Sequence, residues 1–154
     1  MSLNIVLFEP EIPQNTGNIA RTCALTRSVL HLVKPLGFSL EDRYLKRAGL
    51  DYWDKVEVNM WDSWDDFLQA FPGHRKFLAT TRTHQSYQDI QYEIDDMLIF
   101  GPESRGLPVE ILRSFPDNLI RIPIRDIGRS LNLSNSVAII IYEALRQMDF
   151  PGLR

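Results

Sequence analysis

The chain has 154 residues, of which 44% are hydrophobic and 24% are charged, and this balance is typical of a globular domain with a core of its own. The formal net charge of −3 argues against a nucleic-acid-binding protein, because such proteins usually carry a basic excess. The single cysteine, Cys23, excludes an intramolecular disulfide and a multi-cysteine zinc site, and it favours a reducing, cytoplasmic setting.

The sequence contains no stretch that predicts a targeting signal or a membrane span. The apolar run Leu3–Phe8 is too short for a signal peptide. The longest apolar run, Val137–Tyr142, is far shorter than the roughly 20 residues that cross a bilayer. We therefore expect one domain over residues 1–154 and no membrane partner.

Six short apolar runs, separated by glycine, proline and polar residues, predict strands of a mainly parallel sheet. The third run is more polar, so we expect it near an edge of the sheet. The predicted strands are Leu3–Phe8, Val29–Val33, Val56–Met60, Lys76–Thr80, Met97–Phe100 and Leu119–Ile122.

Helical spacing of apolar residues recurs between these runs. Asn15 or Thr16 is the expected N-cap of the first helix, and Ser63 is that of the third. The predicted helices are Asn15–Thr26, Leu40–Arg47, Ser63–Phe71, Pro108–Phe115 and Ser134–Asp149. Strands and helices that alternate along the chain indicate an α/β fold in which helices flank the sheet.

The last predicted helix is apolar nearly all round in its first two turns. Val137, Ile140 and Ile141 lie on one face, while Ile139 and Tyr142 lie outside it. Such a helix is buried on both sides. Either it is the central helix of the monomer, or one side packs on the sheet and the other on a second subunit. We favour the dimer, because a chain of this length has few places to enclose a helix and Tyr142 suits the rim of an interface.

The segment from Pro13 to Thr22, PQNTGNIART, carries more polar residues than a helix start requires. One N-cap accounts for Asn15 or Thr16 but not for the whole run. A strand-to-helix turn exposes backbone N–H groups, so it is a natural site for an anionic group. Arg21, further along the helix, has the chemistry to bind a phosphate through two parallel hydrogen bonds.

A second strand-to-helix connection, FGPESRGLP over residues 100–108, combines two glycines with an acid. Gly101 and Gly106 allow a ligand to approach the backbone closely. Their spacing is not that of a dinucleotide-binding loop, and Leu107 stands where a triphosphate-binding loop requires lysine. Glu103 instead suits a ligand with amino or hydroxyl groups.

A third polar segment precedes the last helix. Residues 122–138 begin IPI and end GRSLNLSNSVA, so they hold more serines and asparagines than one N-cap requires. A loop of hydroxyls, amides and backbone groups at this place is suited to enclose a nucleoside-like cofactor.

In order, NTGN–AR, the strand with GPESRGLP, and IPI…SLNLSNSVAI resemble the three motifs of the SPOUT RNA methyltransferases, in their 2′-O-methylating branch. The start EPEIPQNTGNIARTC, the segment KRAGLDYW and the FPG ending are specifically similar to the family that methylates the wobble cytidine or uridine of tRNA. The resemblance covers essentially the whole chain, and the three motifs together are highly specific.

The resemblance implies a SPOUT fold with a C-terminal trefoil knot, and methyl transfer from S-adenosylmethionine to the ribose 2′-hydroxyl of nucleotide 34, without a metal. It also implies the tRNA anticodon stem-loop as partner, and a homodimer, which we expect to form through the Tyr142 side of the last helix and the first motif. The matching catalytic positions are Arg21, Asn15, Glu103, Ser130 and Asn132. The matching cofactor-binding positions are Leu78, Ala79, Thr80, Gly101, Glu103, Gly106, Ile122, Ile124, Ser130, Leu131 and Asn132.

Methyl transfer from a sulfonium needs the ribose oxygen in line with the methyl group and an acceptor for the hydroxyl proton. A guanidinium is a poor base because it is ordinarily protonated. We therefore expect Arg21 to grip the substrate phosphate and to acidify the 2′-hydroxyl through its charge. Glu103 is expected to orient Arg21 or to accept hydrogen bonds from cofactor or substrate. His31, His74 and His84 lie outside all three motifs, so we interpret them as surface or strand residues.

Three alternatives stay open at this point. The first is a non-catalytic RNA-binding module of the same fold. The second is the same chemistry at another tRNA position or on rRNA. The third, a nicotinamide oxidoreductase, is disfavoured because the glycine fingerprint is missing.

The charge is unevenly distributed along the chain. Residues 51–72 carry a net −5 and residues 89–97 a net −4, so the remaining residues carry +6. In a dimer, basic residues from that remainder can form one surface for a phosphate backbone. We therefore expect the two acidic stretches to face away from RNA.

Overall fold

A six-stranded sheet lies at the centre of the computed structural model, which describes residues 2–49 and 52–154. Its strands are β1 (Asn4–Phe8), β2 (Val29–Val33), β3 (Val58–Trp61), β4 (Lys76–Ala79), β5 (Met97–Phe100) and β6 (Leu119–Ile120). They lie in the order β3-β2-β1-β5-β4-β6, and each neighbouring pair is parallel. The predicted mainly parallel sheet is confirmed, with the polar third strand at an edge.

Helices alternate with these strands, which confirms the α/β fold. The α-helices are α1 (Pro13–Thr26), α2 (Arg43–Gly49), α3 (Trp64–Ala70), α4 (Val109–Arg113) and α5 (Leu133–Gln147), and single 3-10 turns lie at Trp53–Lys55 and Tyr87–Asp89. None of the helices in the described part of the chain is both long enough and apolar enough to cross a membrane.

Helix α1 begins two residues before its predicted start, so Asn15 and Thr16 lie inside the helix. Pro13 occupies the first turn, where its fixed φ favours the helix and its missing N–H is not needed. Ile12 precedes the helix, and its side chain makes no capping hydrogen bond. The predicted cap was wrong because the side-chain amide of Asn15 is used to join other loops.

Helix α2 lies further along the chain than the predicted Leu40–Arg47. The side chain of Asp42 accepts a hydrogen bond from the backbone N–H of Tyr44 at 2.8 Å, so the helix begins after Asp42. Leu50 and Asp51 belong to the segment KRAGLDYW, on which the family resemblance partly rests, and they lie outside the described residues.

The sheet separates two hydrophobic cores. Helices α1 and α5 pack on one face, where Ile19, Cys23 and Ile140 are fully buried. Helices α3 and α4 pack on the other face through residues such as Phe67 and Ile111. Burial raises the pKa of the Cys23 thiol, so this cysteine is a core residue rather than a nucleophile.

The strand order reverses between β1 and β5. From β1 the sheet continues to β2 and β3, and from β5 it continues to β4 and β6. In open parallel sheets, ligands bind at such a switch point, outside the carboxyl ends of the strands. The trefoil knot that the resemblance implies stays a prediction.

Only one side of α5 is covered within the single chain. Ile140, Ile141 and Ala144 are fully buried, whereas Ile139 and Tyr142 are 36% and 46% exposed. The interpretation of α5 as a helix enclosed by the monomer is therefore wrong. The exposed side leaves Ile139 and Tyr142 as apolar surface in the single chain.

Candidate cofactor and RNA site

A cavity of about 500 Å³ opens at the carboxyl ends of β4, β5 and β6. Such a volume is typical of small-molecule sites, which measure roughly 300–1,000 Å³. The loops that follow these strands line it, together with the start of α1 and of α5. The predicted site residues that line it are Asn15, Ala79, Thr80, Gly101, Glu103, Gly106, Ile122, Ile124, Ser130, Leu131 and Asn132.

The carboxylate of Glu103 joins the loop after β5 to the start of α1. One oxygen accepts a hydrogen bond from the backbone N–H of Glu11 at 2.9 Å, and the other accepts from that of Ile12 at 2.7 Å. The second oxygen also accepts from the amide nitrogen of Asn15 at 3.2 Å. Glu103 therefore orients Asn15 and the loop before it. It does not orient Arg21, which was one of the two roles expected for it.

The side-chain amide of Asn15 connects two loops at once. Its nitrogen donates to Glu103, and its oxygen accepts from the amide nitrogen of Asn132 at 3.1 Å. The side-chain oxygen of Asn132 in turn accepts from the backbone N–H groups of Ser134 and Asn135, which caps α5. Because both ends of the Asn15 amide are used, its orientation is fixed. All three predicted motifs therefore meet at Asn15.

Two further contacts tie the loop after β1 to the loop after β5. The carboxylate of Glu11 accepts hydrogen bonds from the backbone N–H and the hydroxyl of Ser104, at 2.8 and 2.9 Å. Glu9 and Arg105 form an ion pair at 2.7 Å. The hydrogen bonds from Ser104, with the charge of Arg105 as a smaller cause, hold the pKa of Glu11 below its usual value. Glu11 therefore stays an acceptor at neutral pH.

The loop after β5 folds back on itself in a way that requires glycine. A Cβ at Gly101 would lie 2.3 Å from the backbone nitrogen of Leu107 and 2.5 Å from the carbonyl carbon of Gly106. Gly106 has a φ of 68°, in the left-handed region that residues with a side chain rarely adopt. The close turn places backbone groups along the wall of the cavity.

The lining suits a nucleoside that carries a polar tail. Ile122 and Ile124 present apolar side chains, as a base requires, while Thr80 and Ser130 offer hydroxyl groups. The turn at Gly101 lets a ligand reach the backbone. Among residues 2–49 and 52–154, no three His, Cys, Asp or Glu side chains are grouped as a metal ion would need.

Two predicted site residues lie outside the cavity. Leu78 is fully buried in β4 and belongs to the core beneath α3 and α4, so its side chain is not a cavity wall. Arg21 is exposed on α1, and its guanidinium carbon lies 4.9 Å from the centre of the Tyr52 ring. On a helix, Arg21 is about 9 Å along the axis and about a third of a turn from Asn15.

The sequence prediction missed several polar residues that line the cavity. Thr81 and Arg82 follow β4, and Ser136 lies in the first turn of α5. Each is close to the carboxyl end of a strand or the start of a helix. This position relative to the predicted elements is the signal that could have identified them.

The fold and the cavity define the class of protein: an α/β domain with a cavity of small-ligand size at the carboxyl ends of parallel strands. Residues 2–142 match the SpoU rRNA Methylase family. The tRNA (cytidine(34)-2′-O)-methyltransferase of Methylovorus glucosotrophus (strain SIP3-4) is 51% identical over 150 residues, which cover 97% of each chain.

Solved structures show the same likeness. A structure described as giving insights into the 2-OH methylation of C/U34 on tRNA superposes with a TM-score of 0.92 at 48% identity, covering 96% of this chain and 97% of that one. The AdoMet-bound rRNA methyltransferase from Sinorhizobium meliloti has a TM-score of 0.86 at 24% identity, over 96% of this chain and 57% of that one, and this likeness concerns the fold alone. The chain belongs to the SpoU methylase family and is a methyltransferase, which confirms the prediction from the three motifs.

Proposed function

We propose that this chain methylates the ribose 2′-hydroxyl of nucleotide 34, the wobble nucleotide of tRNA, with S-adenosylmethionine as methyl donor. The other products are S-adenosylhomocysteine and the hydroxyl proton, which is released to water. The observation that carries the proposal is the meeting of the three motifs at Asn15, beside a cavity of nucleoside size in a methylase fold. A relative with 51% identity is named for this reaction on cytidine 34. The proposal treats residues 1–154 as a single catalytic domain.

The residues around the cavity fit the cofactor. S-adenosylmethionine supplies a methyl group bound to a positively charged sulfur. The apolar side chains of Ile122, Ile124 and Leu131 would enclose the adenine, and Ser130 would bind polar groups of the ribose or the amino-acid tail.

Arg21 acts on the RNA. Its guanidinium binds two oxygens of a backbone phosphate through parallel hydrogen bonds, which fixes the position of the neighbouring ribose. The same positive charge lowers the pKa of the 2′-hydroxyl and makes its oxygen a better nucleophile. Glu103, Asn15 and Asn132 are positioning residues, because they hold the loops that carry the cofactor site.

A homodimer is part of this proposal. Leu25, Tyr142 and Phe150 are 57%, 46% and 37% exposed, and they line a second depression at the C-terminal ends of α1 and α5. The rings of Tyr142 and Phe150 lie 6.5 Å apart. Large apolar side chains grouped on a surface are typical of subunit interfaces. A second copy related by a two-fold axis would cover them.

The position of Arg21 supports the same conclusion. In the single chain it lies on α1 beside Tyr52, away from the cavity that holds the other predicted residues. Since Arg21 does not line the cavity of its own chain, a second chain offers a way to complete the site. Because α1 carries both Arg21 and part of the exposed apolar surface, we infer that Arg21 serves the cavity of the partner subunit.

The anticodon stem-loop is the RNA element that fits this substrate. Nucleotide 34 lies in its loop, where an unpaired nucleotide can enter a protein site. A tRNA substrate, together with an unpaired buried thiol, also favours the cytoplasm as the place of action.

The test is methylation of bulk tRNA with labelled S-adenosylmethionine, followed by mapping of the labelled nucleotide. We expect label on the ribose of nucleotide 34, and we expect the Arg21→Ala variant to bind the cofactor without transferring label. Label on a base would overturn the 2′-O assignment. Label confined to added rRNA would change the substrate, and cofactor binding without transfer to any RNA would favour a non-catalytic module.

A further inference from the structure

We propose that α2 and its surroundings form the docking surface for the single-stranded RNA segment that carries the target ribose. This surface consists of Arg21, Arg43, Tyr44, Arg47 and Tyr52. The inference rests on the proposed function, because it assigns the part of the chain that holds the RNA while the cavity holds the cofactor.

Helix α2 presents cations and an aromatic ring to solvent. Its sequence is RYLKRAG, without an acidic residue, and it packs along α1. Leu45 is buried, whereas Arg43, Tyr44 and Arg47 are exposed. The buried side chain of Leu45 accounts for the packing of α2 on α1. It does not account for the arginines and the tyrosine on the solvent-exposed side of the helix. Phosphates and bases are the groups that such side chains recognise.

Two arginine–tyrosine pairs give this surface its chemistry. The guanidinium carbon of Arg43 lies 4.8 Å from the centre of the Tyr44 ring, and that of Arg21 lies 4.9 Å from the centre of the Tyr52 ring. A guanidinium that lies over a ring is held by the cation–π attraction. Arg43 also donates to the Tyr44 hydroxyl at 2.9 Å, which leaves its other N–H donors for a phosphate. Such a pair is prepared to bind a phosphate at its edge and a base at its face.

Both pairs lie beside α1, the helix that carries Arg21. Helix α2 and the turn Trp53–Lys55 each contact α1, and Tyr52 directly precedes that turn. Arg21 is proposed to grip the phosphate next to the target ribose. An RNA strand that reaches Arg21 therefore has neighbouring nucleotides within reach of α2, which makes a single strand the favoured occupant over a folded protein partner.

Acids also lie close to this surface, and Asp54 is exposed in the turn after Tyr52. Glu41 is paired with Lys46 at 2.8 Å, and Asp42 is used to cap α2. The acidic residues of α3 lie across the sheet, since that helix packs on the opposite core. Tyr52 is therefore an exception to the expectation that residues 51–72 face away from RNA, because it belongs to the docking surface.

The experiment compares two arginines in equivalent places. Arg47 and Arg113 are both exposed and both lie in the last turn of a short helix, but α4 packs on the opposite face of the sheet. Binding of an anticodon stem-loop is measured by fluorescence anisotropy at several salt concentrations for Arg47→Gln and Arg113→Gln. Tyr44→Leu and Tyr44→Phe test the ring. Cofactor affinity by calorimetry and mass by light scattering are measured for every variant.

We expect Arg47→Gln to weaken binding several-fold and to reduce the slope of log Kd against log salt by about 0.7–0.9, as for one lost phosphate contact. Tyr44→Leu should weaken binding about 5-fold or more with the slope unchanged, while Tyr44→Phe stays near wild type. Arg113→Gln should resemble wild type. Cofactor affinity and mass should be the same for all variants.

The surface assignment is overturned if Arg47→Gln and Arg113→Gln behave alike, or if the α2 variants become monomeric, which would make α2 a subunit contact. A wild-type protein that binds the cofactor but no RNA would also overturn it. A wild-type protein that binds RNA but labels another nucleotide changes only the proposed function, because the variants are still compared on the RNA that binds.

Discussion

The side-chain amide of Asn132 donates a hydrogen bond to the side-chain oxygen of Asn15 across 3.1 Å, although the two residues are 117 positions apart in the chain. Asn132 caps α5, and Asn15 is held from its other end by Glu103. The loops that line the cavity are therefore fixed relative to one another by a short series of polar contacts. A change in any of the three residues should affect cofactor binding as well as stability.

Glu103→Gln tests this series. Glutamine keeps the shape of the side chain but has one acceptor oxygen, so its amino group would face a backbone N–H of Glu11 or Ile12. Loss of a charge-assisted acceptor should lower the free energy of unfolding by about 1–3 kcal/mol and weaken cofactor binding. Urea denaturation and calorimetry measure the two effects. The exposed Glu110→Gln in α4 is the control, and equal behaviour of both variants would show that the contacts carry no free energy.

Gly101→Ala tests the close turn after β5. The added Cβ would lie 2.3 Å from the backbone nitrogen of Leu107, so the loop must move. We expect a loss of about 1–3 kcal/mol in stability, as for an overpacked site, and a loss of cofactor binding. Gly73→Ala is the matched control, because a Cβ there has nothing within 4 Å. A Gly101→Ala protein that binds the cofactor normally would contradict the role given to this turn.

The sheet could be predicted because its strands are marked by local signals. The strand β2 runs from Val29 to Val33 as predicted, since Pro35 and Gly37 follow it closely, and β5 likewise ends at Phe100, directly before Gly101. The parallel arrangement follows from helices that separate consecutive strands. Helix ends were less predictable, because α1 begins at a proline and is preceded by Ile12, which has no capping side chain.

The site could be predicted in part. The three motifs were identified by an excess of polar residues over what helix caps need, and most of the predicted site residues do line one cavity. The partners of those residues were not predictable, because Glu11 meets Ser104 and Glu103 meets the start of α1 across some 90 positions. The location of Arg21 could not be derived either, since periodicity along α1 does not say what covers each face.

His31 should make the protein sensitive to acid. It is buried in β2, its Nδ1 accepts from the indole N–H of Trp61 at 3.1 Å, and its Nε2 donates to the side-chain oxygen of Asn4 at 3.0 Å. Burial lowers its pKa to about 4, against an opposing effect of Glu57. Protonation would also place two donors face to face at Trp61. The folded state therefore requires the neutral ring.

The pH dependence has a definite sign. Above about pH 6.5 neither folded nor unfolded His31 is protonated, so the full stability is present. As the pH falls from about 6.5 to about 4, the unfolded state binds a proton that the folded state does not, which removes up to about 3 kcal/mol. Urea denaturation of wild type and His31→Gln across this range isolates the contribution. Parallel curves for the two proteins would refute it.

Tyr142→Glu should separate the subunits. The charge would lie in the apolar surface formed with Leu25 and Phe150, which is costly to bury without a partner. Because Tyr142 is exposed in the single chain, the fold itself should persist. Light scattering at micromolar concentration should give a monomeric mass for this variant and a dimeric mass for wild type. Ile94→Glu, an exposed apolar position in the loop before β5, is the control and should stay dimeric.

Mixed dimers test whether Arg21 serves the partner's cavity. Arg21→Ala removes the guanidinium. Ser136→Arg places a long cationic side chain in the cavity. Its volume and its positive charge should both prevent the binding of S-adenosylmethionine, whose sulfur is also positively charged. Each variant alone should be inactive. Co-expression with two different tags yields mixed dimers in which one site combines the intact cavity of one chain with Arg21 of the other.

In a random mixture, half of the dimers are mixed and each has one complete site, so activity should recover to ~25% of wild type. Purification through both tags in sequence should raise the value to ~50%, because every dimer is then mixed. If Arg21 acted on the cavity of its own chain, no mixed dimer would contain a complete site and the activity would stay at zero. Circular dichroism and light scattering of the purified mixed dimer confirm that both chains are folded and paired.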